Sequence, residues 1–440
     1  MARTSGKAAS SNGLIPSLPR PVWKLVGLHG LASLGAGIVF AFLTIYLHFV
    51  RGISLSDAGI AFAALPIGAM ATGPVAGALA DHFGPRYVIA GGGLLSAAAT
   101  AVLPFVTVAW QAIALALVMG AGMTCLESPV YTLLATSVTK QQRSAVFALD
   151  YAVIALGWGA GGFVGGFVVN IGRVATFQSA FFIATGCFLV FAAAVAVTAP
   201  PPAARSLDEP PDDRPPQAAA SAGGYRSVLA NRCMRRIMSL SVLLMAFAYV
   251  QFDVTFPAVA IGSAHVGTRV IGIAFFANML TVAGGQLFVL RYLQGRRRTR
   301  AMVFMCVFPA ACWLLVLGAI HVGGGLPAAM GLVLSFVVVG FGEMTWSPSV
   351  PGMVNDLAPA AVRGRYNAAN SFGEAIGRLA GPIMAGFMLE ARLVDPWLII
   401  IVVMSLAGIP IVFDLERRVP DEANRIGRGA EAAEVLGTKL

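Results

Sequence analysis

Long apolar runs recur twelve times along this chain, separated by short segments that hold most of the charge. Each run approaches the roughly 20 residues that a helix needs to cross a hydrocarbon core of about 30 Å. The predicted spans of the first half are Leu25–Val50, Leu55–Leu79, Tyr87–Val106, Ala109–Ser137, Ser144–Val169 and Thr176–Val197. Those of the second half are Ile237–Ile261, Val270–Leu290, Ala301–Ile320, Leu326–Val354, Gly364–Leu389 and Trp397–Phe413. Of the 440 residues 58% are hydrophobic and only 11% charged, against about 45–50% and about 25% in soluble domains. Such a chain cannot cover a water-facing surface, and lipid takes the place of water around it. A lipid-facing β-barrel would show short alternating segments instead of long apolar blocks. The fold class is therefore an all-α membrane protein with about twelve transmembrane helices.

Lysine and arginine set the orientation. About 25 of the 30 basic residues fall in segments on the side of the N-terminus, including Arg3, Lys7, Arg20, Lys24, Lys140, Arg143 and the run Arg296, Arg297, Arg298 and Arg300. Arg51, Arg173, Arg269 and Arg392 fall on the other side. The expected location is the cell membrane, multi-pass, with both termini cytoplasmic. The same asymmetry accounts for the net charge of +10 without nucleic acid as a partner. The first apolar run is too long for a signal peptide and reads as a retained span. Cys125, Cys187, Cys233, Cys306 and Cys312 form no C-x-x-C pair, and the five histidines show no ligand spacing, so neither a metal nor a disulfide is expected.

Between Ala199 and Tyr225 the chain turns to proline, alanine and acidic residues, the composition of an extended linker. This gives a cytoplasmic tail over 1–24, a six-helix bundle over 25–198, a linker over 199–235, a second six-helix bundle over 236–414 and a cytoplasmic tail over 415–440. The halves also match in sequence. At the offset that places Arg143 over Arg363, Gly120 meets Gly340, Gly122 meets Gly342, Gly157 meets Gly377, Gly161 meets Gly381 and Gly166 meets Gly386. An internal repeat of this kind suggests a transporter with its binding site between the halves.

Three features carry a family resemblance. The segment from Gly77 through Asp81 and Gly84 to Arg86 resembles the G-x-x-x-D-x-x-G-R-[RK] signature of the major facilitator superfamily, with Pro85 where a basic residue is usual. Gly77 is suited to close helix packing and Gly84 to a tight turn. The segment Gly157, Gly161, Gly162, Gly166 is similar to the antiporter motif G-x-x-x-G-P-x-x-G-G; Gly162 replaces its proline, which the second half keeps in Gly381-Pro382. Small residues at this spacing let membrane helices approach closely. The arginine usual near the start of span four is missing ahead of Gly120. The chain thus resembles the twelve-helix drug:proton antiporter branch. The resemblance implies two six-helix bundles with pseudo-two-fold symmetry, a latch formed by Asp81 and Arg86 in the outward-facing state, and proton coupling carried by acids.

Five acids fall within the spans: Glu127, Asp150, Asp253, Glu343 and Glu374, with Arg378 as the opposing base. Charge at membrane depth costs about 2.5–3.5 kcal/mol per group, so some of these acids must be protonated or matched by a cationic ligand. Glu343 and Asp253 are the first choices for carrying protons. Glu374 and Arg378 stand four apart on one helix face, which favours a salt bridge. The expected function is proton-coupled efflux of hydrophobic or cationic small molecules by alternating access. The alternative is proton-coupled uptake of an organic anion held by Arg378. A membrane-embedded enzyme or receptor finds no motif, and no catalytic residues are expected. Expected partners are a small-molecule substrate, protons and the bilayer, with no cofactor beyond the proton gradient and a monomeric state.

Overall fold

The computed structural model describes residues 18–139, 142–198, 225–293, 295–359 and 362–425. Arg3, Lys7, Lys140, the linker up to residue 224 and the tail from residue 426 lie outside them. The first half contributes α1 (Arg20–Ile45), α2 (Leu55–Phe83), α3 (Pro85–Val102), α4 (Ala109–Thr136), α5 (Arg143–Val168) and α6 (Val174–Thr198). The second contributes α7 (Arg232–Leu244), α8 (Thr268–Leu293), α9 (Arg298–His321), α10 (Gly325–Leu357), α11 (Arg363–Glu390) and α12 (Val394–Leu406), the last continued by Gly408–Glu416. Among the described residues, eleven helical stretches are long and apolar enough to cross a membrane. The exception is α11, which has the length but carries Glu374 and Arg378 in its middle.

Local sequence sets several of the boundaries. Ser54 starts α2 by accepting the amide hydrogen of Asp57 at 3.0 Å, and Asn231 starts α7 by accepting that of Cys233 at 2.9 Å. Gly84 ends α2 at φ 90°, a conformation that favours glycine, and Pro85 opens α3 directly after it. Large apolar side chains such as Leu94, Val190 and Phe387 stay exposed on the outside, as a lipid-facing shell requires. Two segments differ from the predicted boundaries. Tyr225–Ala230 forms a short helix inside the predicted linker. Beyond Glu416 the chain folds back on the start of α9, where the Arg298 amide donates to the Asn424 carbonyl at 2.6 Å.

The repeated glycines do the same packing work in both halves. A Cβ on Gly120 would overlap Leu65 of α2, and one on Gly340 would crowd Thr281 of α8. Gly122 abuts Ser96 of α3, while Gly342 abuts Phe308 and Pro309 of α9. Gly157 meets Gly30, Ser33 and Leu34 of α1, and Gly377 meets Val242, Met245 and Ala246 at one constant offset. Each pair faces equivalent helices, so the repeat read from sequence is a repeat of helix packing.

The fifth pair joins the halves. Gly166 packs on Gly272 of α8, and Gly386 packs on Leu55 and Ser56 of α2. Polar caps reinforce both seams: the Thr268 hydroxyl donates to the Val169 carbonyl at 3.0 Å, and the Leu55 amide donates to the Glu390 carboxylate at 2.7 Å. Both seams lie at the end of the bundle opposite Arg20 and Glu416, here termed the far end. Along α2, Leu55–Ala64 is mostly buried, whereas much of the stretch beyond Met70 is exposed. The halves are closed at the far end and part toward the near end.

Gly386→Val should disfavour this closed seam, since its Cβ would stand 2.9 Å from Ser56 Cα. Overpacking costs about 1–3 kcal/mol, a population shift of about 5- to 150-fold. A cysteine placed at Ser56 should then react faster with a maleimide than in the unaltered seam. An unchanged rate would show that the seam does not hold the far end shut.

Candidate functional site

Where the halves part, a cavity of about 430 Å³ opens between α1, α2, α4 and α5 on one side and α11 with the segment Val250–Asp253 beyond α7 on the other. Its two walls differ. The first half supplies Phe40, Phe62, Met123 and Trp158, with Glu127 as its one charged lining residue among those described. Phe40 lies 5.0 Å from the Trp158 ring and 6.2 Å from that of Phe62, giving a continuous aromatic face. Asp253, Glu374 and Arg378 line the second half. Three carboxyls, one guanidinium and an aromatic face suit an amphipathic ligand with positive charge.

Asp253 stands at a break that the predicted span Ile237–Ile261 did not include. After Leu244 the chain passes through a π turn (Met245–Tyr249) and a 3-10 turn (Val250–Phe252), and regular helix resumes at Thr255–Gly262. Freed backbone groups inside a membrane need other partners, and nearby side chains supply them. Gln251 Nε2 donates to the Ala246 carbonyl at 2.6 Å and to the Gly381 carbonyl of α11 at 3.1 Å. The Thr255 hydroxyl donates to Gln251 Oε1 at 2.5 Å and accepts from the Trp397 indole at 2.9 Å. The Thr44 hydroxyl of α1 donates to the Asp253 carbonyl at 2.7 Å, tying the break to the opposite half. Asp253 thereby lines the cavity from a braced segment between two stretches of regular helix.

The other predicted residues divide into three groups. Glu127, Asp253, Glu374 and Arg378 come together at the cavity. The expected Glu374–Arg378 salt bridge is absent: Glu374 accepts instead from Asn370 Nδ2 at 2.8 Å, and among the described residues Arg378 makes no ion pair. Glu343 does not line the cavity; it accepts from Asn278 Nδ2 of α8 at 3.3 Å. Asp150 is fully buried within the first half and accepts from His29 Nδ1 at 3.0 Å.

The loop and motif residues are also distinct from the cavity. Asp81 is exposed and without an ion pair among the described residues, while Arg86 donates to the Ala196 carbonyl at 2.5 Å. Gly77, predicted to permit close packing, has open space where a Cβ would sit. Gly162 meets Phe275 of α8, and the Pro382 carbonyl meets Gly59 of α2, so both serve the seams between halves. A second cavity, bordered by Tyr292, Arg296, Arg300 and Arg425, lies at the near end outside this interface. Among the described residues no cluster of His, Cys, Asp and Glu has metal-binding geometry. Sequence reasoning passed over His29 because its partner lies 121 residues away.

A family model described as Major Facilitator Superfamily matches residues 25–382. Among solved structures, the nucleoside transporter NupG is similar at 14% identity and a TM-score of 0.68, over 91% of this chain and 99% of that one. The peptide transporter POT in complex with sulfate is similar at 17% identity and a TM-score of 0.68, over 92% and 96% of the two chains. A POT family transporter in complex with 5-aminolevulinic acid gives 11% identity and a TM-score of 0.71, over 92% and 97%. At these identities the likeness is one of fold. No curated protein matches by sequence.

If Gln251 braces the break, Gln251→Ala leaves buried carbonyls unsatisfied and should destabilise the protein by about 1–3 kcal/mol. Unfolding of the purified protein in detergent measures this. Native stability in the variant would show that those carbonyls find other donors.

Proposed function

The chain belongs to the major facilitator superfamily, and from that premise we propose that it is a proton-coupled secondary transporter exporting amphipathic, cationic small molecules by alternating access. The observation that carries this reading is the charge of the cavity, where Glu127, Asp253 and Glu374 outnumber Arg378 opposite an aromatic face. In an apolar interior, the excess negative charge is relieved either by protons or by a cation. Proton and cation therefore compete. A cation in the cavity favours release of a proton, and reprotonation favours release of the cation. Raising the pH should tighten cation binding.

On the reading that both termini are cytoplasmic, the near end is the cytoplasmic side and this state is inward-facing. Asp81 and Arg86 would latch the opposite state, which accords with an exposed Asp81 that has no ion pair among the described residues here. In this reading Asp253, which lines the cavity, senses the substrate directly, and Glu343, bonded to Asn278, holds a proton away from it. Arg378 supports a second reading. Without an ion pair to Glu374 it can hold a carboxylate, as uptake of an organic anion would need.

Purified protein in liposomes under an imposed proton gradient separates the two, with tetraphenylphosphonium as the cation and salicylate as the anion. Gradient-driven movement of the cation against the proton is expected; movement of the anion with the proton would establish the second reading instead. Asp253→Asn and Glu343→Gln should each lose part of the gradient-driven component yet keep exchange at equal pH. Full gradient-driven transport in both would remove these acids from the proton pathway. Asp81→Asn should slow turnover and leave equilibrium binding intact, and unchanged turnover would return that loop to a plain connecting turn.

A further inference from the structure

His29 of α1 and Asp150 of α5 are 2% and 0% exposed, and His29 Nδ1 donates to both carboxylate oxygens, at 3.0 and 3.2 Å. The simplest explanation is that the pair holds α1 against α5. The internal repeat provides a comparison. At the offset of the matched glycines, Asp150 of α5 corresponds to Asn370 of α11. The offset that relates Gly30, Ser33 and Leu34 to Val242, Met245 and Ala246 places His29 over Ser241. Ser241 and Asn370 do meet: the serine hydroxyl donates to Asn370 Oδ1 at 3.1 Å, and both are buried. The same helix contact therefore occurs twice in one chain, once with two titratable groups and once with none. A neutral pair is sufficient for packing, so the charge at His29 and Asp150 needs another reason.

The surroundings suggest one. A small cavity of about 10 Å³, near the scale of one water molecule, borders His29, Ser33, Glu127 and Trp158. Glu127 and Trp158 also line the central cavity, so Glu127 stands between the two spaces. Among the described residues, neighbouring helices set these titratable groups near the pair. From α4 come Glu127 and Tyr131, whose ring lies 6.2 Å from that of His29. Cys187 on α6 lies beside Phe188, which borders the small cavity. Across the central cavity, Arg378 is within electrostatic range of Glu127.

We propose that His29 and Asp150 form a proton-binding site inside the first half, exchanging with the central cavity past Glu127. Taking one proton at His29 Nε2 changes the pair from imidazole–carboxylate, net negative, to imidazolium–carboxylate, net neutral. Giving it up restores the negative charge behind Glu127. A cation beside Glu127 favours the unprotonated pair, and protonation of the pair weakens the field that holds the cation. The inference rests on the proton-coupled reading above and locates one of its protons in the first half, apart from Asp253.

The test installs the second half's neutral pair in the first, as His29→Ser with Asp150→Asn. Tetraphenylphosphonium binding to the purified full chain is measured between about pH 5 and 8. A single linked proton changes affinity by up to about tenfold per pH unit. The native protein should show this dependence, tighter at high pH. The double variant should still bind but lose about tenfold per unit of it, and calorimetry in buffers of different ionisation enthalpy should count about one fewer proton released. If the double variant folds poorly, Asp150→Asn alone keeps an acceptor for His29 and should give the same loss. Native pH dependence in both variants, with flattening in Asp253→Asn, would overturn this site and leave proton coupling standing. No pH dependence in the native protein would overturn both.

Discussion

Close approach of helix backbones at glycine is the constraint on which the rest depends. In lipid, apolar side chains gain little by leaving their solvent for one another, so helices associate through packing and hydrogen bonds. Gly157 and Gly161 bring α5 onto α1, and Gly377 and Gly381 bring α11 onto the end of α7 and the break that follows it. The site follows from these contacts. His29 and Asp150 can meet at 3.0 Å because Gly30 and Gly157 let the two helices touch between them. Gln251 can reach the Gly381 carbonyl because Gly381 lies against Ala246. Farther along the same helices, Gly166 and Gly386 close the far end between halves, so one pair of helices both builds each bundle and seals it to the other.

Symmetry in packing is combined with asymmetry in chemistry. The first half presents an aromatic face with Glu127 behind it, and the second presents Asp253, Glu374 and Arg378. Equivalent positions carry His29 with Asp150 in one half and Ser241 with Asn370 in the other. The broken segment around Asp253 is likewise braced by Thr44 from the first half. Under the proposed function, rocking of two similar bundles would expose one cavity to either side, and its differing walls would select what it binds.

Much of the fold was legible in the sequence because it rests on length and periodicity. Apolar runs give the spans, and the matched glycines give the repeat, whose packing partners emerge only in the structure. The acids at the cavity were legible as a set, since charge inside an apolar span stands out. Pairwise detail was not. The spacing of Glu374 and Arg378 argued for a bond between them, yet Asn370 takes the carboxylate, and Asn370 in turn is held by Ser241. The break at Asp253 depends on Gln251, Thr255 and Trp397 meeting across helices, which no local propensity records. Gly77 faces open space in this state, so its value as a packing residue could not be read from the motif. His29 had a signal, though a faint one: Asp150 aligns with Asn370 in the same repeat that exposed the glycines.

Alternation between the two ends under control of protonation is the central claim, and paired distances test it most directly. Spin labels at Arg173 and Arg392 report the far end, and labels at Arg86 and Arg296 the near end, measured by pulsed electron–electron resonance with and without tetraphenylphosphonium at low and high pH. The expected result is a reciprocal change, one distance lengthening as the other shortens, with pH and the cation shifting the balance in opposite senses as pH falls or the cation is added. Distances that ignore both pH and the cation, or two ends that open together, would contradict it.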